Sequence, residues 1–304
     1  MQQSEGTMAT ADGLQLFYQM AGSGSPTVVV PNGTYLTEDF TPLAEQRTFI
    51  FYDVRNRGRS ETVTDASKLE RGVLHDVEDL EAVRAHFGLR DMILLGHSYV
   101  GFTVMLCAMR YATHVSRVVQ MGPMQPNQST QYAPHLTGAD ATLGEFFAKF
   151  TELQKERASY DEVAFCRKFW SLLRYIYVTD PADADKIDQW SRCDLPNERH
   201  FMGPWLKYLQ PSILRHAPTS DDLAKVTCPV LTVHGRKDRS APYGGGREWA
   251  LVLPNARLVT IDSGGHAPWI EAPDVVFGAI DTFLDGAWPA AAERFDALDP
   301  APLP

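Results

Sequence analysis

Met92-Ile93-Leu94-Leu95-Gly96-His97-Ser98-Tyr99-Val100-Gly101, continued by Phe102 to Tyr111, is the stretch on which the fold turns. Four apolar residues run into Gly-x-Ser, and the chain goes straight on with helical spacing. A buried strand that turns tightly into a helix pushes the side chain at the turn out above the sheet edge. A serine placed there is a candidate nucleophile. The helix start behind it leaves backbone N–H groups unpaired, the first being that of Tyr99, and these can stabilise a developing oxyanion. A second glycine commonly stands two places after such a serine; here Val100 occupies that place and Gly101 follows it, so a different packing of the turn is expected. The plain alternative is a serine that merely begins a helix.

A serine hydroxyl needs a base, and the base needs an acid that holds its tautomer. In a strand–turn–helix site of this kind the chain order is Ser, then Asp or Glu, then His. Pro229 to His234 reads as a strand, and Gly235-Arg236-Lys237-Asp238 follows as a loop, placing Asp238 just past a strand's C-terminal end. Arg257 to Asp262 reads as the last strand, and Ser263-Gly264-Gly265-His266-Ala267-Pro268 as a glycine-rich turn that presents His266. Asp53 and Asp262 also end strands and stay open as rival acids. His97 is expected to point away from Ser98, and His234 to be a hydrogen-bonded core histidine.

The second oxyanion donor is expected from the loop after an early strand, Val30-Pro31-Asn32-Gly33-Thr34-Tyr35. The backbone N–H of Thr34 is the candidate, with Gly33 permitting the turn. The Tyr35 hydroxyl is read as lining the pocket or packing beneath a cap, and Trp269, shortly after His266, as facing the pocket or the core.

Outward from these landmarks, short apolar runs alternate with helical patterns, the signature of a mostly parallel sheet covered by helices. Thr27 to Val30, Thr48 to Tyr52, Met92 to Leu95, Val115 to Val119, Val230 to Val233 and Arg257 to Ile261 are near-continuously apolar, as strands buried on both faces are. Residues 124–224 contain aromatics and helical periodicity but no convincing strand, and Pro181, Pro196, Pro204, Pro211 and Pro218 divide them into short helices. The expected organisation is an α/β core over 1–123 and 225–288, an all-helical cap over 124–224, and a loosely ordered tail over 289–304. The cap's aromatics, among them Phe146, Phe147, Phe150, Phe169, Trp170, Tyr175, Tyr177 and Trp205, suggest an apolar pocket, although most are expected to pack the cap itself.

Tyr52-Asp53-Val54-Arg55-Asn56-Arg57-Gly58-Arg59-Ser60 resembles the Y-D-x-R-x-x-G-x-S segment of α/β-hydrolase fold proteins. Gly96-His97-Ser98, Gly235 to Asp238 and Gly264-Gly265-His266 are similar to that family's other landmarks, in order, from about Leu14 to Leu284. The resemblance implies an α/β-hydrolase fold: an eight-stranded, mostly parallel sheet flanked by helices, with an inserted helical cap and a serine triad. Ser98 to Gly101 and Cys193-Asp194-Leu195-Pro196-Asn197-Glu198 are similar to hydrolases grouped with the proline iminopeptidases. Asn32-Gly33 stands where the family usually has His-Gly, and the iminopeptidase H-G-G-P-G stretch is absent, so peptidase activity does not carry over. Fold likeness does not name a substrate.

Composition narrows the partners. The 304 residues carry a formal net charge of −10, which argues against a nucleic acid or an anionic membrane surface. No run approaches the roughly 18–20 apolar residues of a membrane span, and Met1 to Gly6 lacks the basic start of a signal peptide. A cytoplasmic monomer or homodimer without cofactor or metal is expected. Cys107, Cys166, Cys193 and Cys228 are widely spaced and read as buried free thiols.

The leading functional expectation is hydrolysis of a carboxylic ester or lactone whose acyl or alcohol part is apolar. An aminopeptidase or amidase needs a carboxylate for the substrate ammonium, for which Asp188, Asp194 and Glu198 are candidates. A non-catalytic ligand-binding protein on the same fold is the third reading.

Overall fold

A computed structural model describes residues 3–297. Eight strands, β1 (Gln3–Ala9), β2 (Gln15–Ala21), β3 (Thr27–Pro31), β4 (Thr48–Tyr52), β5 (Met92–His97), β6 (Val115–Met121), β7 (Val230–Gly235) and β8 (Ala256–Ile261), form one sheet. Their spatial order is β1-β2-β4-β3-β5-β6-β7-β8. β2 pairs antiparallel with β1 and β4, and every other pairing is parallel. The six apolar runs of the sequence are the parallel part. The edge hairpin gives no such run, because β1 is exposed at all but two of its seven positions.

The long helices are α1 (Gly33–Phe40), α2 (Val73–His86), α3 (Tyr99–Arg110), α4 (Ala141–Lys155), α5 (Glu162–Tyr177), α6 (Tyr243–Val252) and α7 (Pro273–Leu284). Successive strand residues point to opposite faces, and both faces are covered. Val29, Ile50, Leu94 and Val118 pack with Val77 and Leu80 of α2 and Phe102 of α3. Val28, Phe49, Ile93 and Leu231 pack on the other face with Leu36 of α1 and Ile280 of α7. Leu94 and Ile93 are therefore both fully buried although adjacent, and burying each contributes about 1.5–3 kcal/mol.

Between β6 and β7 the described elements are all helical. The side chains of Asp140 and Asp161 cap α4 and α5 by accepting from the backbone N–H groups of Thr142 and Ala164.

Two expectations need correction. Cys166 and Cys193 are not free thiols: they form a disulfide with Cα atoms 5.9 Å apart, tying α5 to the stretch that carries Glu198. Sequence spacing hides this pairing because α5 and that stretch meet only in three dimensions. Cys107 is a buried thiol and Cys228 a half-buried one. The tail is also seated further than expected. Glu293 exchanges two backbone hydrogen bonds of 2.9 Å with Leu258 of β8, and Arg247 lies over the Phe295 ring. The remainder of the expected loose tail, 298–304, lies outside the described residues. Among the described residues no helix is long and apolar enough to cross a membrane.

Candidate active site

β5 ends at His97, and α3 begins at Tyr99, so Ser98 alone makes the turn. Its backbone sits at φ 60°, ψ −130°, a conformation that costs a non-glycine residue about 1–3 kcal/mol. The surroundings impose it: Ser98 N–H donates to Met121 O, and Ser98 O accepts from the N–H groups of Gly101 and Met124. A Cβ on Gly96 would lie 2.6 Å from Val100 O, and one on Gly101 would lie 2.9 Å from Pro123 Cβ. Gly96 and Gly101 thus take the close approaches, while Val100 packs into the core beneath α3. That is how the turn closes without a glycine at position 100.

Asp238, in the loop after β7, is fully buried and has both oxygens occupied. Oδ1 accepts from the N–H groups of Ser240 and Ala241, each at 2.8 Å. Oδ2 accepts from His266 Nδ1 at 2.8 Å and from His234 Nε2 at 3.0 Å. Burial alone would raise this acid's pKa; His266 first, and then His234, outweigh it and hold the carboxyl well below the usual carboxylate range. An anionic acceptor fixes the proton of neutral His266 on Nδ1 and leaves Nε2 as the basic nitrogen. That Nε2 is buried and has no hydrogen-bond partner. Gly122, just past β6, leaves room for the pair: a Cβ there would come 3.1 Å from both Asp238 Oδ2 and His266 Nδ1.

The rival acids are engaged elsewhere. Asp53 binds the Arg59 guanidinium and backbone N–H, and exposed Asp262 pairs with Arg236. His234 is the hydrogen-bonded core histidine that was expected, but its partner was not foreseen. Its Nε2 donates to Asp238 and lies 3.2 Å from Ala241 O.

His97 packs its ring 4.4 Å from that of His266 and against Trp269. Its Nε2 donates to His266 O at 2.9 Å, which leaves Nδ1 to accept from the Tyr35 hydroxyl at 2.7 Å. Burial, and then the neighbouring His266, push the His97 pKa well below its ordinary value, so its ring is neutral. His97 and Tyr35 thus fix the backbone that carries His266. No sequence signal marks this contact, since the three residues come from β5, α1 and the loop after β8.

On the oxyanion side, Tyr99 and Thr34 are the first and second residues of α3 and α1, where helix geometry leaves N–H groups without intrahelical partners. The positive φ of the second loop falls on Asn32 (φ 72°). Asparagine enters the left-handed region at modest cost, and Asn32 Oδ1 accepts from the Thr34 hydroxyl.

Ser98 lies in the wall of a cavity of about 440 Å³. Phe146, Phe150, Phe169, Trp170, Tyr177 and Trp205 line it together with Phe147, so of the eight aromatics picked from the sequence only Tyr175 stays out. Phe146, Phe150, Phe169 and Tyr177 also pack together in one apolar cluster, so the same rings build the interior of the helical segment and the cavity wall. Tyr35 lines the cavity. Trp269 does not: it is buried behind it, against His97, Phe40 and Trp190, with its Nε1 donating to Asp39.

The candidate ammonium ligands fare differently. Asp188 and Asp194 form exposed pairs with Arg174 and Arg192. Glu198 reaches the cavity, but its carboxylate is taken by Arg57 at 2.9 and 2.7 Å and by Gly58 N–H at 2.7 Å.

The profile described as the alpha/beta hydrolase fold matches residues 32–273, most of the chain. A non-heme haloperoxidase of Rhodococcus erythropolis is 26% identical over 290 residues, covering 91% of this chain and 98% of that one. A proline iminopeptidase of Pestalotiopsis fici is 24% identical over 291 residues, covering 90% and 97%. Among solved structures, an esterase from Exiguobacterium antarcticum superposes with a TM-score of 0.70 at 17% identity, covering 92% of this chain and 99% of that one. Sheet order, strand-to-helix turn and matched profile agree: the chain belongs to the alpha/beta hydrolase fold family, and its relatives include proline iminopeptidases and esterases.

Proposed function

We propose that the protein is a serine hydrolase that cleaves a carboxylic ester or lactone through an acyl-enzyme. The observation that carries this reading is Ser98 at φ 60° on the wall of an aromatic cavity, in a fold that also pairs buried His266 with Asp238. In the first step His266 Nε2 takes the Ser98 proton while Oγ attacks the carbonyl carbon. The N–H groups of Tyr99 and Thr34 receive the resulting oxyanion. Its collapse breaks the bond to the alcohol oxygen, which leaves with the proton from His266. Water then repeats the sequence on the acyl-enzyme and frees the acid and Ser98. Asp238 stays ionised throughout and holds the imidazole in register. The helical segment 124–224 serves as the cap, and its aromatic wall selects an apolar acyl or alcohol part. The disulfide in that cap weighs against the cytoplasmic location expected from sequence, because such bonds persist in oxidising compartments.

The iminopeptidase names among the relatives favour a second reading, cleavage of aminoacyl amides. The pairing of Glu198 with Arg57 opposes it, since a bound ammonium would have to displace a guanidinium. A fluorophosphonate probe, mapped by mass spectrometry, and a p-nitrophenyl ester series distinguish the outcomes. The adduct is expected on Ser98, with ester turnover abolished in Ser98→Ala. Turnover of aminoacyl arylamides without turnover of simple esters would replace the esterase reading by the second.

A further inference from the structure

One corner of the cavity differs in chemistry from the rest. Arg57 and Glu198 both line it, and their side chains are only 17% and 7% exposed. Glu198 engages Nε and Nη2 of Arg57, and the guanidinium stacks over the Phe201 ring. A guanidinium has five N–H groups, so this pairing leaves the Nη1 side with donors to offer. Tyr99, another wall residue, is 8% exposed; its buried hydroxyl lies beside the Arg57 guanidinium, and its own O–H has no acceptor. Burial, and after it the charge of Asp76, raise the Tyr99 pKa, so the hydroxyl is protonated and can donate. A buried donor left without an acceptor is destabilising. A corner that keeps one beside a guanidinium, amid phenylalanine and tryptophan, is built to meet an acceptor.

The charge of the corner says which acceptor. Arg57 and Glu198 sum to zero and sit in a poorly solvated pocket, where charges interact strongly. A substrate carboxylate would bring a second anion beside Glu198, and a substrate ammonium would face Arg57. Neither is compensated. A neutral oxygen accepts from Arg57 and Tyr99 with no charge left over.

Resting on the hydrolase reading above, we propose that the Arg57–Tyr99 corner binds a neutral oxygen acceptor, such as a ketone or amide carbonyl, on the otherwise apolar part of the substrate. This makes the Arg57 guanidinium and the Tyr99 hydroxyl specificity determinants, in addition to the backbone role of Tyr99.

The test uses two matched ester series of graded length, one varied in the acyl chain and one in the alcohol. In each, a remote ketone is compared with the hydrocarbon in which a methylene replaces the oxygen, and with the corresponding carboxylate and ammonium. Sites built to bond a polar group discriminate strongly against analogues that lack it. At one length in one series, kcat/KM for the ketone is expected to exceed that for the hydrocarbon at least tenfold. In Tyr99→Phe that ratio is expected to fall several-fold, read within the same variant so that any change in overall rate cancels. Hydrolysis of all the esters without ketone preference, or with preference for the carboxylate or the ammonium, overturns this inference and leaves the hydrolase reading standing. A ketone preference unaffected by Tyr99→Phe overturns the role of its hydroxyl. No ester turnover at any length overturns the hydrolase reading and this inference with it.

Discussion

The α/β frame and the helical segment over the cavity solve different problems. In the frame, Ser98, Asp238 and His266 stand at the ends of strands buried on both faces, and both Asp238 oxygens are fully engaged. In the helical segment, α4 buries only Phe146 and Leu153, and Phe147 is 57% exposed. A chemical step needs atoms held within fractions of an ångström, whereas an apolar pocket needs shape and dryness. The frame therefore invests in hydrogen bonds, and the segment in aromatic surface and one covalent tie.

Four experiments break or sharpen this contrast. Ser98→Ala is expected to cut kcat by about a million-fold, the usual cost of losing a triad nucleophile, with the far-ultraviolet circular dichroism and Tm close to wild type. A residual activity near wild type would remove Ser98 from the chemistry. Replacing Cys166 and Cys193 together by serine tests the covalent tie. The disulfide closes a loop with a sequence separation of 27, for which chain-entropy reasoning gives about 3.5 kcal/mol. Urea unfolding should show that loss in the helical segment first, with hydrogen exchange in β5 to β7 still slow. Uniform loss of protection across both regions would mean that they unfold as one unit.

The third experiment concerns Asp76 of α2, buried with one oxygen unpartnered and pushed by burial, and then by Asp79, up to about 8. The folded chain holds this proton more tightly than the unfolded chain does. The stability it contributes is therefore complete below the ordinary carboxylate range and is lost as pH rises towards 8. Between pH 5 and 7 wild type should lose about 2 kcal/mol that Asp76→Asn, which cannot ionise, keeps. Parallel denaturation curves for the two at both pH values would contradict the burial argument. The smallest effect is expected from His234→Phe. Removing its N–H takes away one of the groups that hold the Asp238 carboxyl below the usual carboxylate range, and kcat is expected to fall about tenfold, as loss of a hydrogen bond to a charged group of about 1.5 kcal/mol would give. A lowered Tm with unchanged kcat would reduce His234 to packing.

Much of the frame was legible from residues alone because its signals are local. Met92 to Leu95 reads as a buried strand, Gly96 and Gly101 punctuate the turn, and Gly264-Gly265 announces the loop of His266. The edge hairpin was less legible, since its exposed strand lacks an apolar run. The disulfide, the second histidine on Asp238 and the Tyr35–His97 contact were illegible for another reason. The disulfide and the Tyr35–His97 contact join residues that chain order does not bring together, whereas His234 stands only four residues before Asp238 and meets it because the chain folds back after β7.

By itself the sequence determined the sheet class, the strand-to-helix turn at Ser98 and the helical character of the stretch between β6 and β7. These follow from hydrophobic period and turn chemistry, which act over a few residues. Tertiary structure alone decided that Asp238, rather than Asp53 or Asp262, meets His266, that Glu198 is neutralised by Arg57, and that Trp269 stays behind the cavity wall. Such outcomes depend on which buried charges and rings come within about 3–5 Å across separate elements, a distance that no local pattern encodes.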